Sequence, residues 1–134
     1  MFLHSDARAT FEDNDISENA LSGVIIRDAT HPTFRRNKIS GNEQSGIFCY
    51  GAMEGTFDNN EITLNSGSGV SISQGNPKFR RNGISKNTAF GVRITRTGAG
   101  SFDGNTLTSN EKGAWGISAE ALPRVTRRNN IVAE

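Results

Sequence analysis

The side chains of this chain that are best suited to chemistry are two carboxylates, Asp28 and Glu54. Arg27, His31 and Tyr50 lie close to them in sequence. Two carboxylates roughly 5–10 Å apart can cleave a glycosidic bond, one as the acid and the other as the base or nucleophile. The same residue types are equally typical of turns and exposed surface. We therefore predict no catalytic residue, and keep the pair as an alternative.

The elements that would position these residues are set by a repeated phrase, Phe-x-x-Asn-x-Ile. Its first residue recurs at spacings of 23, 23, 22 and 23 residues, as Phe11, Phe34, Phe57, Phe79 and Phe102. Two asparagines recur at the same spacing in each copy. They are Asn14, Asn37, Asn60, Asn82 and Asn105, and then Asn19, Asn42, Asn65, Asn87 and Asn110. A Gly then precedes an apolar-x-apolar run in each copy. Self-similarity at a fixed period decides the architecture before local propensity does.

Each copy contains three strand-sized pieces, and the chain shows no sustained helical periodicity. The third copy illustrates them as 46–50, 56–58 and 61–63, separated by the Gly, Asn, Ser and Pro of turns. Leucine-rich repeats share this length but need a Leu-x-x-Leu-x-Leu run, which is absent. We predict an all-β chain: a right-handed, single-stranded parallel β-helix of five to six coils of about 23 residues. Phe, Ile and Val ladders would fill its core.

The asparagines and charges have structural interpretations. We expect each Asn to turn the chain in left-handed geometry and the stacked amides to bond along the axis. The position after the Phe alternates in charge, as Glu12, Arg35, Asp58, Arg80 and Asp103. A second alternating column is Asp15, Lys38 and Glu61. Neighbouring coils lie about 4.8 Å apart, so we expect opposite charges to pair along the helix.

The composition excludes several classes of partner. Fifteen basic and fourteen acidic residues leave a net charge of +1, without a basic patch suited to nucleic acid. No apolar run is long enough to span a bilayer, and the first five residues are too short for a signal peptide. The single Cys49 is expected to be a buried thiol. No cofactor or metal site is predicted, and the compartment is left open.

The alternating phrases Pro-x-Phe-Arg-Arg-Asn-x-Ile and Gly-x-Phe-x-x-Asn-x-Ile resemble the parallel β-helix repeats of the CASH group. That group spans carbohydrate-binding proteins and sugar hydrolases. The phrasing also resembles the β-helical region of an F-box-only ubiquitin-ligase subunit and the copper-maturation protein of nitrous-oxide reductase. The shared residues are the inward ladders and the turn asparagines, so the resemblance implies a fold rather than an activity. The motifs of alginate epimerases and polygalacturonases are absent.

The outward positions of the first strand in each coil form the predicted functional face. In the first three coils they are apolar or aromatic, at Phe2, Ile25 and Phe48, with Arg27 and Tyr50 beside them. Contiguous exposed apolar side chains usually mark a partner surface. Tyr, Phe and Arg are typical both of protein interfaces and of platforms on which sugars stack.

The last coil departs from the regular repeat spacing. Two extra residues between Asn110 and Gly116 are interpreted as a bulge that carries Trp115, the only Trp. Insertions in solenoids are extruded on one face, so Trp115 is a second candidate binding residue. The alternative is that Trp115 folds over the end of the core.

We expect residues 1–134 to form one β-helical domain, either a segment of a longer solenoid or a unit that self-associates through its open ends. The sequence favours a non-catalytic binding or scaffold module that presents its aromatic face to a protein partner. A carbohydrate-binding or polysaccharide-active β-helix is the main alternative. A structural solenoid that assembles end to end is the third.

Overall fold

The structure is a computed structural model that describes residues 1–5, 8–28 and 31–133. The described residues form eighteen short strands in three parallel sheets. Sheet A contains β1 (Phe2–Leu3), β4 (Val24–Ile26), β7 (Ile47–Cys49), β10 (Val70–Ile72), β13 (Phe90–Ile94) and β16 (Gly113–Ile117). Sheet B contains β2 (Thr10–Glu12), β5 (Thr33–Arg35), β8 (Thr56–Asp58), β11 (Lys78–Arg80), β14 (Gly100–Asp103) and β17 (Val125–Arg128). Sheet C contains β3 (Asp15–Ser17), β6 (Lys38–Ser40), β9 (Glu61–Thr63), β12 (Gly83–Ser85), β15 (Thr106–Thr108) and β18 (Ile131–Ala133).

Every coil gives one strand to each sheet, so the described residues make six coils. Each strand pairs in parallel with the strand one coil further along, as Phe34 does with Phe57. A short 3₁₀ helix, Leu122–Arg124, precedes β17. These pairings confirm the parallel β-helix and the coil length that the repeat predicts.

The core is a set of stacked ladders that run along the axis. Phe34, Phe57 and Phe79 are completely buried, and their rings stack with centroids 5.2 and 4.4 Å apart. Alternation along each strand sends these rings inward and the neighbouring side chains outward. Burial of each ring contributes roughly 1.5–3 kcal/mol. Aromatic stacking along the ladder adds to that hydrophobic stabilisation.

Two ladders of asparagine amides line the corners on either side of sheet C. The backbone N–H and the Nδ2 of Asn60 both donate to Oδ1 of Asn82, at 2.8 and 3.0 Å. The Nδ2 of Asn60 also donates to the carbonyl oxygen of Phe34. The second ladder repeats this arrangement, with Asn65 donating to Oδ1 of Asn87. Stacked buried amides therefore satisfy one another, as the sequence predicts, and avoid the cost of an unpaired polar group.

The prediction that the asparagines themselves adopt left-handed geometry is wrong. The positive φ angles belong to the residue before each ladder Asn, such as Arg36 (54°), Leu64 (59°) and Arg81 (55°). An extended Asn keeps its side chain aimed inward, where its amide can join the ladder. The preceding residue makes the sharp corner instead, and its side chain stays exposed at Arg36 and Arg81.

The Gly that precedes β4, β7 and β10 lies close to an amide of the second Asn ladder. A Cβ on Gly46 would lie 2.8 Å from Nδ2 of Asn65, and one on Gly69 would lie 2.8 Å from Nδ2 of Asn87. Both values are far below an ordinary van der Waals contact. The close approach of the ladder Asn amide therefore leaves no room for a Cβ at these positions.

The placement of Trp115 in an extruded bulge is wrong. Trp115 pairs with Val92 at the regular offset of 23 residues, whereas Val125 pairs with Gly100 at an offset of 25. The two extra residues therefore lie after Ile117, in the segment that contains the 3₁₀ helix. Ala114 stands at the position that Gly91 occupies one coil earlier. The prediction failed because it aligned Gly116 with the glycines that precede the sheet A strands in the earlier coils.

The charge columns lie in the predicted register, but their ion pairs differ from the prediction. Arg35 contacts Glu12 at 3.0 Å, as expected, and Arg36 also contacts Glu12 at 2.8 Å. Asp58 pairs with Arg81 at 2.6 Å rather than with Arg35 or Arg80. At Asp58 the left-handed corner residue Arg81 thus makes the contact that a strand arginine was expected to make. Asp15, Lys38 and Glu61 are aligned, yet no ion pair joins them within the described part of the chain.

Candidate functional site

The outward face of sheet A contains the predicted binding residues in two parallel columns. One column holds Phe2, Ile25, Phe48, Ser71, Arg93 and Gly116. The second column lies directly after the strands and holds Arg27, Tyr50, Ser73, Thr95 and Ser118. The backbone N–H of each of these residues donates to a backbone carbonyl oxygen of the preceding coil. The face is therefore apolar at the first coils and polar with one exposed arginine further along, as the sequence indicates.

The apolar part of this face is open at its first coil. Phe2 is 50% exposed, and Ile25 and Phe48 are half-buried. The guanidinium carbon of Arg27 lies 5.1 Å from the centre of the Phe2 ring, within the range of a cation–π contact. Arg27 also lies 3.1 Å from Asp28, which partly balances its charge.

Phe48 and Tyr50 form an aromatic platform at the middle of the face. Their ring centroids are 5.1 Å apart with an interplanar angle of 30°, so the ring at the middle of β7 stacks against the ring of the residue that follows this strand. Both side chains are half-buried, so the pair is held in place and still presents an open ring surface. Such a surface is suited to stacking against the apolar face of a sugar ring or against another aromatic group.

A shallow groove of about 700 Å³ begins at this platform and extends towards the later coils. It is lined by Phe48, Tyr50, Ser71, Ser73, Gln74, Arg93, Thr95, Arg96 and Thr97. The lining contains hydroxyl groups, one amide and two guanidinium groups, and none of these residues carries a carboxylate. The groove therefore offers an aromatic floor with positive charge and hydrogen-bond donors, a combination that suits an anionic polar ligand.

Three of these lining residues, Gln74, Arg96 and Thr97, were not predicted from the sequence. They belong to the turns that follow sheet A, where the inward–outward alternation of strands gives no guide. Oε1 of Gln74 accepts a hydrogen bond of 3.0 Å from the backbone N–H of Gly51. Arg96 has a φ of 56° and stands at the left-handed corner after β13.

The carboxylate pair considered for hydrolysis is not brought into one cavity. Asp28 contacts Arg27, whereas Glu54 lies 3.6 Å from Nε2 of His31. His31 and Glu54 line a separate cavity of about 490 Å³, and Asp28 is not among its lining residues. Each carboxylate thus has its own basic neighbour and lies apart from the other, which favours separate surface contacts over a shared catalytic site.

Trp115 lies at the end of the core and points inward. Its ring meets the Phe102 ring edge-on, with centroids 5.4 Å apart and an interplanar angle of 81°. The guanidinium carbon of Arg127 lies 5.2 Å from the centre of the Trp115 ring. A cavity of about 350 Å³ at this end is lined by Trp115, Arg127, Asn129, Asn130 and Val132. Trp115 is therefore spatially separate from the groove on sheet A.

Other chemical groups are less suited to a site. Complete burial strongly raises the pKa of the Cys49 thiol, so the thiolate is disfavoured at neutral pH. No group of three or more metal-binding side chains occurs in the residues that the structure describes. Nor do these residues contain a helix with the length and hydrophobicity needed to cross a membrane.

Comparison with known proteins identifies the fold family. The family described as "Right handed beta helix region" matches residues 1–132. No curated protein sequence shows a significant match. The structure is similar to that of the periplasmic alginate epimerase AlgG and to that of its double mutant, each at 19% sequence identity with a TM-score of 0.80. Both alignments cover 98% of this chain and 36% of the epimerase, so the chain spans about a third of the length of these relatives.

The family match confirms the handedness that the sequence predicts, and it agrees with three parallel sheets built from six coils. The chain belongs to the right-handed β-helix family.

Proposed function

We propose that this chain binds an acidic saccharide chain in the groove of sheet A, with Phe48 and Tyr50 as the stacking platform. The observation that carries the proposal is the composition of the groove: two stacked rings, two arginines and no carboxylate among its lining residues. Arginine pairs with carboxylates through parallel N–H···O bonds, which places Arg93 and Arg96 as partners for sugar acids. Ser and Thr hydroxyls supply the directional bonds to sugar hydroxyls.

The fold comparison shows that this architecture also occurs in an enzyme that acts on alginate. The structural neighbour is an epimerase of alginate, and its fold is aligned over nearly the whole of this chain. The low identity limits that support to the architecture, so the ligand class rests on the residues in the groove. Because none of those residues carries a carboxylate, an imidazole or a thiol, the proposal is binding rather than turnover.

Isothermal titration with oligosaccharides tests this proposal. We expect acidic oligosaccharides prepared from alginate to bind, and neutral oligosaccharides of the same length to bind at least about tenfold more weakly. Replacement of Tyr50 by Ser should weaken binding, and Arg93→Ala should weaken the acidic ligand selectively. Arg80→Ala is the matched control, because Arg80 is also an exposed arginine but lies on sheet B. Equal binding of acidic and neutral ligands, or a loss in the control variant, would overturn the proposal.

The second candidate function is recognition of a protein partner on the same sheet. The exposed ring of Phe2 and the adjoining Ile25 favour it, because an apolar column of this kind is typical of a surface that a protein partner covers. The two functions separate experimentally: Phe2→Ser should leave saccharide binding intact and weaken only a protein complex. A pull-down on the wild type with the Phe2→Ser variant as control tests this reading.

A further inference from the structure

We propose that an acidic saccharide places one carboxylate on the backbone N–H and the guanidinium of Arg96, while a sugar ring of the same molecule stacks on Phe48 and Tyr50. Arg96 and this aromatic platform line the same groove of sheet A. The contact rests on the proposed function of that groove, and it names the group that selects an acid and the size of ligand that reaches both points.

The corner after β7 shows how a backbone N–H at this place in the coil can bind an oxygen from outside its own coil. The N–H of Gly51 donates to Oε1 of Gln74, one coil further along, at 3.0 Å. Gly51 and Arg96 each stand two residues after a sheet A strand, and both have a positive φ, of 78° and 56°. The two residues therefore share a position in the repeat and a left-handed conformation. We expect their N–H groups to face the same way.

The N–H of Arg96 has no such acceptor in the part of the chain that the structure describes. Ile94 pairs with Ile117, so the residue one coil beyond Arg96 is Ala119. Its methyl group cannot accept a hydrogen bond, whereas the Gln74 side chain at the equivalent place beyond Gly51 does. Arg96 and Ala119 are both exposed. The corner after β13 is therefore open to an oxygen supplied by a ligand.

The side chain of Arg96 is also free to bind. Within the described residues it makes no ion pair, not even with Glu120, which follows Ala119. A carboxylate can accept from the N–H through one oxygen and from the guanidinium through the other, and such charge-assisted bonds are strong. Because the N–H of Gly51 occupies Oε1 of Gln74, only the donor Nε2 of this amide is left for the ligand. This line of donors favours an anion over a neutral sugar.

The spacing of the two contacts sets a minimum length for the ligand. Tyr50 follows β7 and Arg96 follows β13, and β10 lies between these strands in sheet A. Two steps between coils correspond to about 10 Å along the axis. One sugar ring is too short to stack on the platform and reach Arg96 at the same time. We therefore expect a single uronic acid to bind far more weakly than its oligomers.

Ala119→Gln tests the backbone donor, because it copies the arrangement of Gln74 beyond Gly51. The new amide oxygen should cap the N–H of Arg96 and weaken the binding of acidic oligosaccharides from alginate at least about tenfold in isothermal titration. Binding of neutral oligosaccharides of the same length should not change. Ala119→Met is the matched control, because its side chain has a similar length and only a weak acceptor. This variant should bind the acidic ligand as the wild type does.

Nuclear magnetic resonance of the Arg96 amide reports the contact directly. We expect a saturable shift when the acidic oligosaccharide is added to the wild type, and a shift without ligand in Ala119→Gln. If the new glutamine leaves that amide unshifted, the titration of the wild type decides.

The outcomes separate this contact from the proposed function. A wild type that binds no acidic oligosaccharide overturns both. A wild type that binds it without a shift of the Arg96 amide overturns the contact alone. Full binding by an Ala119→Gln variant whose Arg96 amide is shifted does the same, and so do equal losses of binding in Ala119→Gln and Ala119→Met.

Discussion

Asn60 gives both its backbone N–H and its Nδ2 to a single acceptor, Oδ1 of Asn82, one coil further along. In the same way Oδ1 of Asn60 accepts the two donors of Asn37. Each buried amide therefore holds three neighbouring coils together. The ladder is a stabilising element of the solenoid, and the proposed binding groove lies on sheet A instead.

Replacement of Asn60 by Ala should strongly destabilise the fold. The change leaves both donors of Asn37 and the carbonyl oxygen of Phe34 without their partner, and each buried unpaired group costs about 1–3 kcal/mol. We expect a loss of roughly 3 kcal/mol or more in the free energy of unfolding by urea. Asn76→Ala is the control, since Asn76 is exposed, and it should change stability by less than about 0.5 kcal/mol. Equal effects in both variants would contradict the ladder's role.

Two glycines should respond differently to alanine. A Cβ on Gly69 would lie 2.6 Å from Cγ2 of Ile84 and 2.8 Å from Nδ2 of Asn87, so Gly69→Ala should lower the thermal midpoint clearly. A Cβ on Gly83 would meet nothing within 4 Å. Gly83→Ala should therefore be neutral or stabilise by about 0.4–1 kcal/mol, through a less flexible unfolded chain. Similar thermal midpoints for the two variants would show that the neighbours of Gly69 move to admit a Cβ without loss of stability.

The arginine corner at the first two coils should contribute to stability only while its carboxylates are ionised. Hydrogen bonding to Arg35 lowers the pKa of Glu12 below its ordinary value of 4.5, and bonding to Arg36 lowers that of Asp13 below 3.8. A lowered pKa in the folded state means that this stabilisation is present above the ordinary values and is lost as the pH falls through and below them.

Urea unfolding from neutral pH down to below about pH 3 tests that prediction. Arg36→Ala should reduce the part of the acid-induced loss that comes from Glu12 and Asp13. Arg80→Ala should leave the profile unchanged, because Arg80 has no ion pair within the described part of the chain. An identical pH profile in wild type and Arg36→Ala would show that these pairs do not contribute.

Cys49 should react with thiol reagents only when the chain unfolds. Its side chain is fully buried in sheet A, and burial raises its pKa, so the reactive thiolate is scarce in the folded state. The rate of modification in mild urea should follow the unfolded fraction. Rapid modification in the absence of urea would mean that the strand around Cys49 opens locally.

The ladders could be predicted from the sequence because identical residues at a fixed period report both register and direction. Phe34 over Phe57 and Asn37 over Asn60 are examples in which one spacing determines a contact. The prediction failed at the corners, because a residue with positive φ does not follow the two-residue alternation of a strand. Arg36 pairs with Glu12 and Asp13 for that reason.

The candidate site was predictable in part. The columns of Phe48 and Tyr50 follow from strand alternation, and their mutual stacking was not expected from their spacing alone. Arg96 and Gln74 lie in turns, where only the three-dimensional course of the chain brings them beside the platform. Trp115 was misplaced because Gly116 was used to set the strand, although the residue aligned with the glycines of the earlier coils is Ala114.

The binding account is tested most directly by nuclear magnetic resonance of the backbone amides during titration with an acidic oligosaccharide. The account predicts saturable shifts of the amides of Tyr50, Ser73, Arg93 and Thr95, which line the sheet A groove, and none around His31 or Trp115. The Tyr50→Ser variant should lose these shifts while its spectrum remains that of a folded chain. Shifts confined to the His31 cavity or to the Trp115 end, or no shifts at saturating ligand, would contradict it.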